Sequence, residues 1–170
     1  MYKFVPYILV VALLFLVIGC PEDTPPLTEA PPDVKLAVME VIQAVGIVFA
    51  DDNWGDTDPA PGIHVDYAGG DIAGTATVTI TSYSVGGKYT MNGTIVIEYA
   101  ALSDSLASCS FSGTVALSDG DVSEVSADFS LVMDTNTGPD PESLDGTITV
   151  DGIIYDIVAF KDIFEAMSGG

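Results

Sequence analysis

The chain has no arginine and only four lysines, Lys3, Lys35, Lys88 and Lys161, against 25 acidic residues, for a formal net charge of −21 over 170 residues. Nucleic-acid binding needs Lys and Arg to displace counterions from the phosphate backbone, so a nucleic-acid partner is excluded. The same repulsion argues against electrostatic adsorption to anionic lipid headgroups. Histidine is nearly absent, with His64 alone, and there are two cysteines, Cys20 and Cys109. A hydrolytic zinc centre built on imidazole and thiolate is therefore short of ligands. A serine hydrolase fares no better: no G-x-S-x-G elbow precedes a helical segment, and nothing singles out one serine as partner to His64.

What is present begins at the N-terminus. Met1-Tyr2-Lys3 leads into an apolar run from Phe4 to Ile18, interrupted only by Pro6, and then Gly19-Cys20. A cation, a short apolar stretch and a small residue are the order of an export signal. The run is short for a transmembrane span, which takes about 20 apolar residues. Val17-Ile18-Gly19-Cys20 resembles the lipobox of bacterial lipoproteins. The resemblance implies acylation of Cys20, cleavage before it, and attachment to a membrane through the N-terminal acyl chains. It also implies residence at the cell envelope, with the outer membrane favoured in a diderm host because Pro21, not Asp, follows the cysteine. All 25 acids lie after Cys20, so the processed chain carries three lysines and a charge of −22 before its termini are counted.

Residues 1–19 thus read as a signal peptide and 20–33 as the lipidated Cys with a tether rich in proline and acid. Such a composition favours an extended, semi-rigid spacer. Residues 34–170 remain, the size of one ordinary domain. The domain opens with Val34–Ala50, long for a strand and rich in helix formers, for which Asp33 is the expected N-cap. From Gly74 the period changes to two. Tyr89, Met91, Ile95, Ile97 and Tyr99 alternate with polar residues, as do Phe111, Val115 and Leu117, and Val125, Phe129 and Leu131. One dry and one wet face belong to antiparallel sheet. Gly86-Gly87, Asp119-Gly120 and Asp151-Gly152 supply tight hairpin turns.

The expectation is an α+β, mainly β fold: a curled antiparallel meander of about seven strands packed on one N-terminal helix. The strands are placed near 63–67, 74–85, 88–101, 108–117, 122–133, 144–150 and 153–158. Gly93, Gly113 and Gly146 fall on the inward face, where a missing side chain permits bending or close approach. The tail Phe160–Met167 is expected to add a short closing helix.

Two acidic loops carry oxygen ligands of the type calcium takes. The first offers Asp51, Asp52, Asn53, Asp56 and Asp58; the second, more weakly, Asp134, Asn136, Asp140 and Glu142. Neither has the EF-hand spacing, and solvated turns are the simpler reading. No other cofactor or metal is expected. Trp54 and Tyr67 are candidates for a sugar-binding surface, although a single tryptophan beside a helix end more often closes a core. Cys109 lies in phase with Phe111, Val115 and Leu117, which predicts a buried, inert thiol. The function expected is a lipid-anchored envelope protein with a non-enzymatic binding or structural role and an envelope protein or lipid as partner. Two alternatives stand beside it: a carrier holding a lipid or other hydrophobic ligand in the concave face of the sheet, and a carboxylate-based hydrolase, whose catalytic pair is defined by spacing in three dimensions and not by sequence.

Overall fold

The computed structural model describes residues 25–47, 57–70, 72–134 and 138–168. Helix α1 spans Pro32–Gly46. Eight strands follow: β1 Thr57–Ala60, β2 Ile63–Gly69, β3 Ala73–Tyr83, β4 Thr90–Ala101, β5 Leu106–Ser118, β6 Glu124–Asp134, β7 Gly138–Val150 and β8 Ile153–Asp156. A 3-10 turn, Ile157–Phe160, leads into α2, Lys161–Ser168. The strands form one open sheet in chain order, every neighbouring pair antiparallel. The meander follows from the short connections, which leave a strand no partner nearer than the one just formed.

The strand count corrects the expectation of about seven. The additional strand is β1, four residues containing Pro59. A proline cannot donate to a ladder on both sides, so it hides a strand from pattern reading while suiting a sheet edge. The helical cover is corrected as well. One N-terminal helix was expected to pack the sheet, whereas the broadest helix–sheet contact is made at the C-terminal end, by α2 against β7. Phe164 of α2 is buried and lines one small cavity together with Ile148 of β7, while the buried Phe160 of the preceding turn meets Tyr155 of β8 edge-on. Helix α1 starts two residues earlier than expected. Pro31 is its N-cap and no side chain caps it, so Asp33 lies inside the first turn. Proline at the first helical position has its φ already set and lacks an N–H that would have gone unpaired.

Period two places the dry rows in register. Val78, Ile95, Gly113, Ala127 and Ile148 stand side by side across five strands. On the opposite face, Thr79, Thr94, Thr114, Ser126 and Thr149 form a hydroxyl row, in which Thr114 and Ser126 share a 2.8 Å hydrogen bond. Ala37, Val38, Val41, Ala44 and Val45 of α1 are buried at helical spacing. Val38 and Val41 meet Phe111, Phe129, Ile148 and Phe164 around one small cavity, so both helices cover the dry face. Phe111 and Phe129 stack with centroids 4.8 Å apart, and Phe164 meets Phe129 edge-on.

The inward glycines act by close approach. Gly146 has φ +115° and pairs with Phe129; a Cβ there would overlap the Asp128 carbonyl oxygen. Gly113, at φ +140°, is crowded in the same way by the Thr94 carbonyl. Asp151 and Gly152, both at positive φ, form the primed turn between β7 and β8.

Part of the segment read as a tether is held against the domain. The Leu27 N–H donates to the Ile154 carbonyl at 2.9 Å and the Asp156 N–H donates to the Leu27 carbonyl at 2.8 Å, a parallel bridge opposite Tyr155. Residues 1–19 and Cys20 lie outside the described residues.

Candidate functional site

Among the described residues the sheet leaves an open concavity at the end where β2 turns into β3 and β4 into β5. Tyr67 and Tyr99 are each the last bulky inward residue of their strand, in phase with Ile63 and Val65 and with Ile95 and Ile97. Their rings stack with centroids 6.3 Å apart and planes 15° from parallel. Their hydroxyls converge on the Gly70 carbonyl, which lies 3.1 Å from the Tyr67 hydroxyl and also within reach of that of Tyr99; with one proton on each hydroxyl, two of the three contacts among these oxygens are hydrogen bonds at a time. Gly74 makes room: a Cβ there would lie 2.8 Å from the Tyr67 hydroxyl and 2.9 Å from the Tyr99 ring.

Two loops wall this pair. The Ala101 N–H donates to the Ile72 carbonyl at 2.7 Å, tying the hairpins together. Ser103 Oγ accepts from the backbone N–H groups of Ser105 and Leu106, which stiffens the outer turn. The result is an open groove of about 810 Å³ lined by the two tyrosines, Ile72, Leu102, Ser103 and Asp104 among others. Ile72 and Leu102 are 76% and 59% exposed, unusual for large aliphatic side chains that flank preset aromatic rings. Such a surface offers flat apolar contact with hydroxyl and carbonyl groups at its margin, and among the described lining residues Asp104 is the one acid. Sequence reading singled out Tyr67 but missed Tyr99 as a site residue, because alternation marks both only as inward-facing. Trp54 lies outside the described residues.

His64 points to the wet face from β2. Its Nδ1 lies 2.7 Å from Asp58 and its Nε2 3.3 Å from Asp66. The hydrogen bond to Asp58, then that to Asp66, raises its pKa above the ordinary imidazole value. With a carboxylate at each ring nitrogen the imidazolium is favoured, which is the wrong state for a general base. Cys109 is buried as expected from its phase, and desolvation pushes its thiol up to about 11, so almost no thiolate exists at neutral pH.

Of the first calcium set, Asp58 is turned to His64, while Asp51, Asp52, Asn53 and Asp56 lie outside the described residues. Of the second set, Asp134 pairs in register with Gly138 at the hairpin end, and Asn136 lies outside the described residues. Asp140 accepts from the Glu142 N–H at 3.0 Å, and the Glu142 carboxylate pairs with Lys161. Among the described residues no three His, Cys, Asp or Glu side chains gather closely enough to hold a metal.

Tyr89, Met91, Phe111 and Phe129 are all inward and buried, as their phase predicts. The concave face they share is filled rather than hollow. The cavity between the sheet and the two helices has a volume of about 60 Å³ and a wholly apolar lining. That is room for a few waters, against roughly 300 Å³ for a small-molecule pocket. Among the described residues, Glu40 Oε2 on α1 is a buried oxygen with no hydrogen-bond partner.

Among the described residues no helix is long and apolar enough to cross a membrane. No protein-family model, no curated protein and no solved structure matches the chain.

Proposed function

We propose that this chain is a bacterial lipoprotein, acylated at Cys20 and resident at the cell envelope, whose folded domain acts by non-enzymatic binding through the groove of Tyr67 and Tyr99. In this reading the sheet curls about α1, and in a diderm host the anchor lies in the outer membrane. The observation that carries the binding role is the rigid pair of stacked tyrosines, fixed on one backbone carbonyl and flanked by exposed Ile72 and Leu102. Aromatic side chains held in place lose little entropy when a partner packs on them, which is what a binding surface needs.

The carboxylate-hydrolase alternative requires two acids facing each other across a cleft, and among the described residues that line the groove Asp104 is the one acid. A carrier role requires the helices to move apart, because the apolar cavity is about five times too small as it stands.

The test is a pull-down from native envelope with the acylated protein and with the double variant Ile72→Glu, Leu102→Glu. Both positions are exposed, so the fold should survive. A component recovered with the wild type and lost with the variant supports the groove as the binding surface. Equal recovery from both removes it.

A further inference from the structure

The geometry points to the β8 edge as the bilayer-facing side of the domain, with Leu27, Ile153 and Ile154 in contact with the lipid surface that holds the Cys20 anchor. This inference rests on the proposed acylation of Cys20.

The route of the chain constrains the domain's position. Leu27 is fixed to β8 by two backbone hydrogen bonds, at 2.9 Å to the Ile154 carbonyl and at 2.8 Å from the Asp156 N–H. Only seven residue steps separate Leu27 from Cys20, and fully extended they span no more than about 25 Å. The β8 edge therefore cannot move far from the acyl chains while the bridge holds. The bridge is parallel and sets Leu27 opposite Tyr155.

The surface chemistry at this edge fits a lipid neighbour. Eight large hydrophobic residues are exposed among the described residues, and four of them, Leu27, Ile153, Ile154 and Val158, lie on this bridge, on β8 or in the turn after it. Two of the neighbouring acids, Asp151 and Asp156, are engaged. The Asp151 carboxylate accepts from the N–H groups of Ser123 and Glu124, and the Asp156 carboxylate caps the 3-10 turn by accepting from the Val158 N–H. Apolar side chains on a strongly acidic protein thus gather where the anchor requires the membrane to be. They are too few to bind a bilayer alone, and serve instead to orient a domain the acyl chains already hold there.

Ile153→Cys, Ile154→Cys and Ile72→Cys are each introduced into the full-length acylated protein and labelled with a nitrobenzoxadiazole fluorophore. Cys20 is blocked by its acyl group and Cys109 is buried, so the label goes to the introduced thiol. Each protein is reconstituted into phosphatidylcholine vesicles, uncharged so that the acidic surface is not repelled. The expected result is protection from aqueous dithionite at positions 153 and 154, several-fold slower quenching than at 72 on the groove. Adding Leu27→Pro, which removes the N–H donated to Ile154, should abolish that protection while the protein still floats with the vesicles.

Equal quenching at all three positions in floating protein overturns the orientation and leaves the anchor intact. Unchanged protection in the Leu27→Pro background overturns the bridge as its cause. Protection that appears only at high protein density marks a second copy on the β8 edge and overturns the lipid contact. Protein that fails to float, with an intact mass lacking an acyl group, overturns the anchor and the orientation together.

Discussion

Glu40 is the residue whose environment is least consistent with its chemistry. It sits on the buried side of α1, 2% exposed, with Oε2 unpaired and the other oxygen close against Gly86. A carboxyl oxygen that loses water without gaining a partner destabilises the fold, and an apolar residue of similar length relieves that cost. Glu40→Met should raise stability by about 1–3 kcal/mol, read as a higher urea midpoint at unchanged slope. A lower midpoint would show that the carboxylate contributes to the fold. His64 makes the opposite case, a charge with two partners. Its folded pKa is raised, so its contribution to stability is complete below the unfolded value, about 6.5, and is lost as pH rises through the raised value. The melting temperature of the wild type should therefore exceed that of His64→Gln at pH 5.5 by more than at pH 8.5. A pH-independent difference would mean that the pairs with Asp58 and Asp66 do not persist in solution. Neither residue's situation is legible in the sequence. Glu40 reads as an ordinary polar break in an apolar helix, and His64 finds Asp58 and Asp66 only because β1 and β2 fold together.

At the scale of elements, the ends of strands decide more than their middles. The Asp151 carboxylate in the β7–β8 turn accepts from Ser123 Oγ at 2.6 Å, from the Ser123 N–H at 3.0 Å and from the Glu124 N–H at 2.9 Å. It thereby fastens one hairpin turn to its neighbour. These bonds, the Ser123 hydroxyl first, hold its pKa below the usual carboxylate value. The stability they give is present above the unfolded pKa, near 3.9, and is lost as pH falls through the lowered one. Asp151→Ala should cost about 1–2 kcal/mol at pH 7, a modest figure because the turn is exposed and screened, and less at pH 3. Chemical denaturation at the two pH values gives both numbers, and a cost that does not fall at acid pH would contradict the assignment. The strand interiors were readable from alternation, and so was the tight turn at Asp151-Gly152, because period two and positive φ are local properties. The tight turns expected at Gly86-Gly87 and Asp119-Gly120 are longer connections, 84–89 and 119–123, in which only Gly87 and Asp119 of those pairs take positive φ. β1 was not readable, since four residues with a proline carry no period. The tether bridge at Leu27 was not readable either, because one leucine between prolines and acids acquires meaning only when β8 presents an unpaired edge.

The whole molecule is dominated by its charge. After the proposed cleavage three lysines remain, and each is already paired: Lys35 with Asp162 at 2.8 Å, Lys88 with Asp121 at 3.7 Å, and Lys161 with Glu142 and Glu165. Most acids therefore repel one another across the surface with little internal compensation. Raising NaCl from about 0.02 M to about 0.5 M shortens the screening length well below the size of the domain and should raise the melting temperature. A fall over that range would mean that these few ion pairs outweigh the general repulsion. The sequence alone determined the acidic composition, the antiparallel alternation and the resemblance to a lipobox at Cys20, because composition and short-range period do not depend on what lies across the fold. Only the tertiary structure decided that the concave face is filled by two helices, that Tyr67 and Tyr99 share one carbonyl, and that Leu27 is pinned to β8. Each of those joins residues far apart in the chain, and burial and hydrogen bonding between distant segments leave no periodic trace in either one.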